Sequence, residues 1–87
     1  SHNSGSALNN YGAFLCREGQ YQASEKYFIR ATEDPQYEHT GGAYENAGLC
    51  AMEIPDLNHA KSYFMRALSQ DKNRTTSLEE LMQISLK

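Results

Sequence analysis

The feature that most constrains this chain is an internal repeat with a period of about 36 residues. Shifting the 87-residue sequence by that interval superimposes residues of the same type across two whole units. The matched pairs are Ala7 with Ala43, Asn10 with Asn46, Gly12 with Gly48, Tyr27 with Tyr63, Phe28 with Phe64, Arg30 with Arg66 and Ala31 with Ala67. A repeat of this length indicates a solenoid, in which each unit packs mainly against its neighbours.

Each unit has the pattern of a helical hairpin, because apolar and small residues recur at intervals of three and four. In the first unit they are Leu8, Tyr11, Gly12 and Leu15 on a helix starting near Ser6, then Ser24, Tyr27, Phe28 and Ala31 on a second helix. In the second unit they are Tyr44, Ala47, Gly48 and Ala51, then Ala60, Phe64 and Ala67. Gly19-Gln20 and Asp34-Pro35 are predicted to end the helices of the first unit.

The second unit is also divided by a turn, and the pattern of one more helix follows it. Pro55-Asp56 separates the helices of the second unit, with Asp56 as the predicted N-cap. Residues 76–87 offer a capping box at Thr76 and Glu79, or at Ser77 and Glu80, before an apolar face of Leu78, Leu81, Met82 and Ser85. We therefore predict an all-α solenoid, an α-α superhelix, with a tail or linker at 1–5 and units at 6–35 and 40–70. The helix at 75–87 is either the first helix of a third unit or a capping helix.

Composition and charge exclude several classes of function. A net charge of −3 provides no positive field for nucleic acid or an anionic membrane. No run of eighteen apolar residues is present, and the two cysteines form no CxxC motif. The three histidines, His2, His39 and His59, lie in the predicted tail, a loop and a helix, with no evident partner carboxylate and no metal-ligand spacing. We expect no catalysis, metal, cofactor or small-molecule substrate.

The spacing of large, small and aromatic residues resembles the tetratricopeptide repeat. The residues that carry the match are Leu8, Gly12, Phe28 and Ala31, then Tyr44, Gly48, Ala60, Phe64 and Ala67. Ser24 replaces the usual alanine, and the loop around His39 to Gly42 looks two residues longer than the standard one. The resemblance implies a protein-binding scaffold.

A narrower resemblance rests on two strings, Asn9-Asn10-Tyr11-Gly12 with Phe14-Leu15-Cys16, and the run from Tyr44 to Ala51. They are similar to the type IV pilus biogenesis and stability proteins, the outer-membrane lipoproteins that act as pilotins for the secretin. The resemblance implies a scaffold at the periplasmic face of the bacterial outer membrane. It would assist secretin localisation and assembly, and hence fimbriae and twitching motility.

The same resemblance implies a protein partner, either the pilus secretin or an associated pilus lipoprotein, and membrane attachment only through a lipid anchor outside this fragment. Members have about six repeats and a lipidated amino-terminal cysteine, so this chain would be an internal piece. The alternative, allowed by the repeat alone, is a generic cytoplasmic tetratricopeptide adaptor or cochaperone.

The first helices of stacked repeats line a concave groove, which gives a predicted binding site. By register its residues are Asn9, Asn10, Ala13 and Arg17 from the first unit, with Glu45, Asn46, Leu49, Met52 and Glu53 from the second. Asn10 and Asn46 are equivalent and have amides suited to a peptide backbone, although they also suit a solvated surface or a neighbouring helix. Glu45, Glu53, Glu79 and Glu80 disfavour a carboxylate clamp and favour an apolar or basic ligand.

Two further features stay open at the level of sequence. Cys16 and Cys50 lie 34 residues apart on neighbouring first helices, so they either form a disulfide, which a periplasmic setting would permit, or remain two small buried apolar residues. Tyr37, in a predicted loop, is a candidate interface residue, whereas the register of Tyr44 favours the core.

Overall fold

The structure is a computed structural model that describes residues 4–86. They form five α-helices: α1 (Gly5–Arg17), α2 (Tyr21–Thr32), α3 (Thr40–Glu53), α4 (Leu57–Gln70) and α5 (Thr75–Ser85). Helices α1 and α2 form one antiparallel hairpin, α3 and α4 form a second, and α5 packs on α4. The predicted all-α repeat fold is thus confirmed. His2 and the amino-terminal part of the predicted tail lie outside the described residues.

A glycine and a phenylalanine set the close packing inside each hairpin. Phe28 is 1% exposed and Phe64 is fully buried. A methyl group added to Gly12 would lie 2.8 Å from the Phe28 ring, and one added to Gly48 would lie 2.6 Å from the Phe64 ring. The 36-residue repeat of these residue types therefore reflects one contact, made once in each hairpin.

Most helix ends lie at residues whose type is typical of a helix terminus. Asp56 caps α4 as predicted, because its carboxylate accepts a hydrogen bond from the His59 amide at 3.1 Å. Gly19 has a φ of +81°, the left-handed conformation typical of a helix carboxyl end. Helix α1 begins at Gly5, one residue before the predicted start, because the Ser4 side chain accepts from the Ala7 amide.

The connection between the hairpins differs from the predicted one. The loop covers residues 33–39, and Thr40, Gly41 and Gly42 form the first turn of α3. Gly41 is buried where a Cβ would lie 3.1 Å from Cβ of Asp71. The two glycines therefore allow a close helix contact, and the predicted placement of the loop around His39 to Gly42 was wrong.

Helix α5 also departs from its predicted face. Ser77, Leu81 and Ile84 pack towards the preceding hairpin, whereas Leu78 and Met82 are 50% and 58% exposed. The capping box predicted at its start does not form, since the N-cap residue is Arg74 and makes no side-chain capping bond. The side chains at positions 77, 81 and 84 match Ala43, Ala47 and Cys50 of α3, which face the first hairpin in the same way.

No helix within residues 4–86 is long and apolar enough to cross a bilayer. The described residues fill a flat slab of 41 × 28 × 15 Å, with α1, α3 and α5 as successive first helices of the stack.

Candidate partner-binding groove

An open groove of about 440 Å³ crosses the first helices of the stack. Six of the nine residues predicted for the binding site line it: Ala13, Arg17, Asn46, Leu49, Met52 and Glu53. Its lining also includes Phe28, the two cysteines and Glu80 of α5. The groove therefore draws side chains from all three first helices, and its surface is mainly apolar with charges from Arg17, Glu53 and Glu80.

The prediction that Glu45 faces the groove was wrong. Its side chain is buried, and Oε2 accepts hydrogen bonds from the Ser77 amide at 3.0 Å and from the Ser77 hydroxyl at 2.7 Å. The other oxygen lies 3.3 Å from Nη1 of Arg74. Glu45 is therefore occupied in fixing the amino-terminal turn of α5, where a carboxylate is favourable because the first amides of a helix lack internal partners.

Asn9 and Asn10 lie outside the lining of the groove. Asn9 is half-buried and forms a chain of hydrogen bonds, because its Nδ2 donates to the Tyr37 hydroxyl at 3.2 Å and its Oδ1 accepts from Nδ2 of Asn46 at 3.1 Å. Asn10 is exposed on the same helix. Of the three possibilities left open for Asn10 and Asn46, holding a neighbouring helix describes the Asn46 amide, which bonds to Asn9 of α1 and also borders the groove.

Asn9 and Glu45 occupy equivalent positions in the repeat, and each forms hydrogen bonds to the next first helix. The two residues are 36 apart, and each reaches from its own first helix to the next one, Asn9 to α3 and Glu45 to α5. A 36-residue comparison pairs asparagine with glutamate at this position, so it does not by itself indicate that both are inter-unit contacts. The signal that was missed is Ser77, a small polar residue at the position of the buried Ala43 in α3.

Cys16 and Cys50 are joined as a disulfide that connects α1 to α3, with their Cα atoms 6.1 Å apart. Cys50 is 2% exposed, and its sulfur lies 3.0 Å from the Ser24 hydroxyl. The pair also borders the groove, so a cross-link between the two hairpins lies at its base.

The two tyrosines considered for an interface are both half-buried. Tyr37 packs against the cluster of Leu8, Ala31 and Ala43, and its hydroxyl accepts the bond from Asn9, so part of its side chain is engaged within the chain. A contact of its exposed part with a partner stays a prediction. Tyr44 packs against the main core, with the Arg66 guanidinium 6.0 Å from its ring centre.

His59 has the partner carboxylate that the sequence did not reveal. Its Nδ1 pairs with the Asp56 carboxylate, and this hydrogen bond raises the pKa of His59 and lowers the pKa of Asp56. The neighbouring Tyr63 hydroxyl donates to Glu25 of α2, and burial raises its pKa. The sequence predicted Asp56 as a helix cap but not as a partner of His59. The cap bond and the ring contact both join Asp56 to His59, three residues further along, so the capping pattern accounted for this spacing without the second contact. Within residues 4–86 no cluster of three metal-ligating side chains occurs.

The chain is similar in sequence to one pilus protein and in structure to another. PilF, a type IV pilus assembly protein of Pseudomonas aeruginosa, is 29% identical over 80 residues, which cover 92% of this chain and 32% of PilF. The crystal structure of PilW, described as a widely conserved type IV pilus biogenesis factor, superimposes with a TM-score of 0.88 at 30% identity, over 97% of this chain and 39% of PilW.

This chain is a tetratricopeptide-type homologue of type IV pilus biogenesis proteins. PilF is described as a type IV pilus assembly protein and PilW as a type IV pilus biogenesis factor. A protein of Haemophilus influenzae with no assigned function is also similar, at 35% identity over 67% of this chain and 32% of its own length. The chain spans about a third of each of these two sequence relatives. No protein-family profile matches it.

Proposed function

We propose that this chain is a non-enzymatic protein-binding scaffold in type IV pilus biogenesis that assists localisation and assembly of the outer-membrane secretin. The observation that carries the proposal is the groove across α1, α3 and α5, in a chain homologous to PilF and PilW over nearly its whole length. Solenoids of this kind bind partners on such extended surfaces. The partner is the secretin itself or an associated pilus lipoprotein, and fimbriae and twitching motility depend on that contact.

The place of action that accompanies this proposal is the periplasmic face of the outer membrane. A disulfide between Cys16 and Cys50 supports it, because disulfides persist in oxidising compartments such as the periplasm. A lipid anchor on the parent protein would supply the membrane attachment of a pilotin. A lipidation-site cysteine upstream in the complete gene favours this assignment, and a start typical of a cytosolic protein favours the alternative, a cytoplasmic adaptor or cochaperone.

Deletion of the gene in the native bacterium tests the proposal. Outer membranes of the deletion strain are blotted for heat-resistant secretin multimers, and the cells are examined for surface pili. We expect the multimers and the pili to be lost and to return on complementation with the intact gene. Multimers and pili that persist unchanged after deletion would contradict the pilotin function.

A further inference from the structure

The charges along the groove follow the order of the repeats. Arg17 belongs to α1, Glu53 to α3 and Glu80 to α5, and all three side chains line the groove. Helix α1 contacts α3, and α3 contacts α5, so the three charges are met in that sequence along the stack. A chain lying across the first helices therefore meets one positive charge at the first unit and two negative charges further along.

These charges are available to a partner. The ion pairs formed within residues 4–86 join His59 to Asp56, and Arg74 to Glu45 and Asp71, so none of them neutralises the charges of the groove. Arg17 and Glu53 are exposed, and Glu80 is half-buried. By contrast, Glu45, which would have added a third negative charge, is paired and buried at the start of α5.

The middle one of the three first helices, α3, contributes apolar residues to the groove. Leu49 is 38% exposed and lines the groove together with Met52, Ala13 and Phe28. Methionine and leucine at a partly exposed groove provide apolar area that adapts to different side chains. Between Arg17 of α1 and Glu80 of α5, the groove thus offers a site for one or two apolar side chains of a partner.

We infer that the groove binds a peptide segment with an apolar centre, an acidic residue on one side of it and a basic residue on the other. The acidic residue pairs with Arg17, and the basic residue pairs with Glu53 or Glu80. Packed helices lie about 8–10 Å apart, so in an extended segment the basic residue lies about three residues from the acidic one if it reaches Glu53 on α3, and about six if it reaches Glu80 on α5. This inference rests on the proposed binding function and specifies the chemistry of its partner.

Three synthetic peptides of about twelve residues test the inference, since that length spans the three first helices. They share a central pair of leucines and differ only in the flanking residues: glutamate and lysine on opposite sides, lysine on both sides, or glutamate on both sides. Binding to the 87-residue chain is measured by fluorescence anisotropy at low and at physiological salt. We expect the peptide with opposite charges to bind tightest, by about three- to tenfold over the peptide with glutamate on both sides at low salt, and the difference to shrink with salt.

Reversal of one charge of the groove makes the test specific. The variant Arg17→Glu makes the groove negative at both ends, so we expect the peptide with lysine on both sides to become the tightest binder. This result does not depend on the direction in which a peptide lies. The double variant Glu53→Gln with Glu80→Gln is expected to weaken the opposite-charge peptide about three- to tenfold. Glu79→Gln, an exposed acid of α5 outside the groove lining, is the matched control and should leave binding unchanged.

Absence of binding by all three peptides, or affinities that do not depend on the flanking charges, would overturn the inference. The pilus function is tested separately by the gene deletion. Loss of secretin multimers on deletion together with charge-independent peptide binding would leave that function standing and remove only the charge-ordered partner.

Discussion

At the scale of single residues, the fold depends on glycines at positions where a larger residue would overlap a neighbouring side chain. Gly48 lies against the fully buried Phe64, and a methyl group there would be 2.6 Å from a ring carbon. Overpacking of a core costs about 1–3 kcal/mol, and alanine recovers part of this through its higher helix propensity. We expect Gly48→Ala to lower the free energy of unfolding in urea by about 1–2 kcal/mol. Asn58→Ala, at an exposed position of α4, is the control, and an equal effect of both changes would rule out the packing explanation.

The pair of His59 and Asp56 predicts how stability changes with pH. Because the pKa of His59 is raised in the folded state, its contribution is complete below the unfolded pKa and is lost as the pH rises through the folded pKa. The lowered pKa of Asp56 makes its contribution disappear as the pH falls below its usual range. We therefore expect the melting temperature to fall between about pH 6 and 8, and this slope to be smaller in His59→Gln. His39→Gln serves as the control, and an unchanged slope in His59→Gln would refute this account.

At the scale of elements, the first turn of α5 is held by a single buried carboxylate. Glu45 accepts two hydrogen bonds from Ser77 and pairs with Arg74, so its removal leaves the first turn of α5 without its acceptor. We expect Glu45→Ala to destabilise the chain by about 2–4 kcal/mol, since hydrogen bonds to charged groups contribute about 1.5–3 kcal/mol each. Hydrogen exchange of the α5 amides is expected to increase before that of α1 and α2.

Glu45→Gln separates the two contacts of this residue. The amide oxygen keeps an acceptor for Ser77 but loses the charge that faces Arg74, so we expect an intermediate effect. Glu79→Ala on the exposed face of α5 is the control. Equal exchange of α5 in the wild type and in Glu45→Ala would exclude a docking function for the carboxylate.

The helices could be predicted from the sequence because their apolar spacing is a local property. Gly12, Phe28, Gly48 and Phe64 pack within their own hairpins, so a pattern along one segment was enough to find them. Contacts between units were harder to predict. Glu45 looked like a surface residue of a helix, and only the third unit, through Ser77 and Arg74, determines its burial.

The groove was predicted in part for the same reason. The groove residues on α3 follow from helical register. Asn9 does not line the groove, because its side chain bonds to Tyr37, which lies in the loop between the hairpins. The predicted face of α5 was Leu78, Leu81, Met82 and Ser85. Leu81 does pack on the preceding hairpin, whereas Leu78 and Met82 have the right spacing but are exposed. Register predicts which residues share a face and cannot by itself say which face is covered.

At the scale of the whole molecule, the disulfide is the one covalent cross-link between the two hairpins, besides the backbone of the 33–39 loop, within residues 4–86. It closes a sequence separation of 34 residues, and a loop of that length stabilises a fold by about 3–4 kcal/mol in the chain-entropy estimate. We expect reduction, or the double change Cys16→Ser with Cys50→Ser, to lower the free energy of unfolding by roughly this amount. Intact mass spectrometry with and without reductant checks the bond itself. Two free thiols in protein purified under oxidising conditions would show that the pair packs as separate cysteines.

We propose that partner binding uses the groove across the first helices. Leu49 lies in that groove at 38% exposure, and Met65 lies on the outer face of α4 at 55% exposure, so both accept a charge without burying it. The measurement is the amount of heat-resistant secretin multimer in a deletion strain complemented with Leu49→Glu or Met65→Glu in the parent gene. The groove account predicts that Leu49→Glu fails to restore multimers at normal protein levels, whereas Met65→Glu restores them. Full restoration by Leu49→Glu would contradict the account.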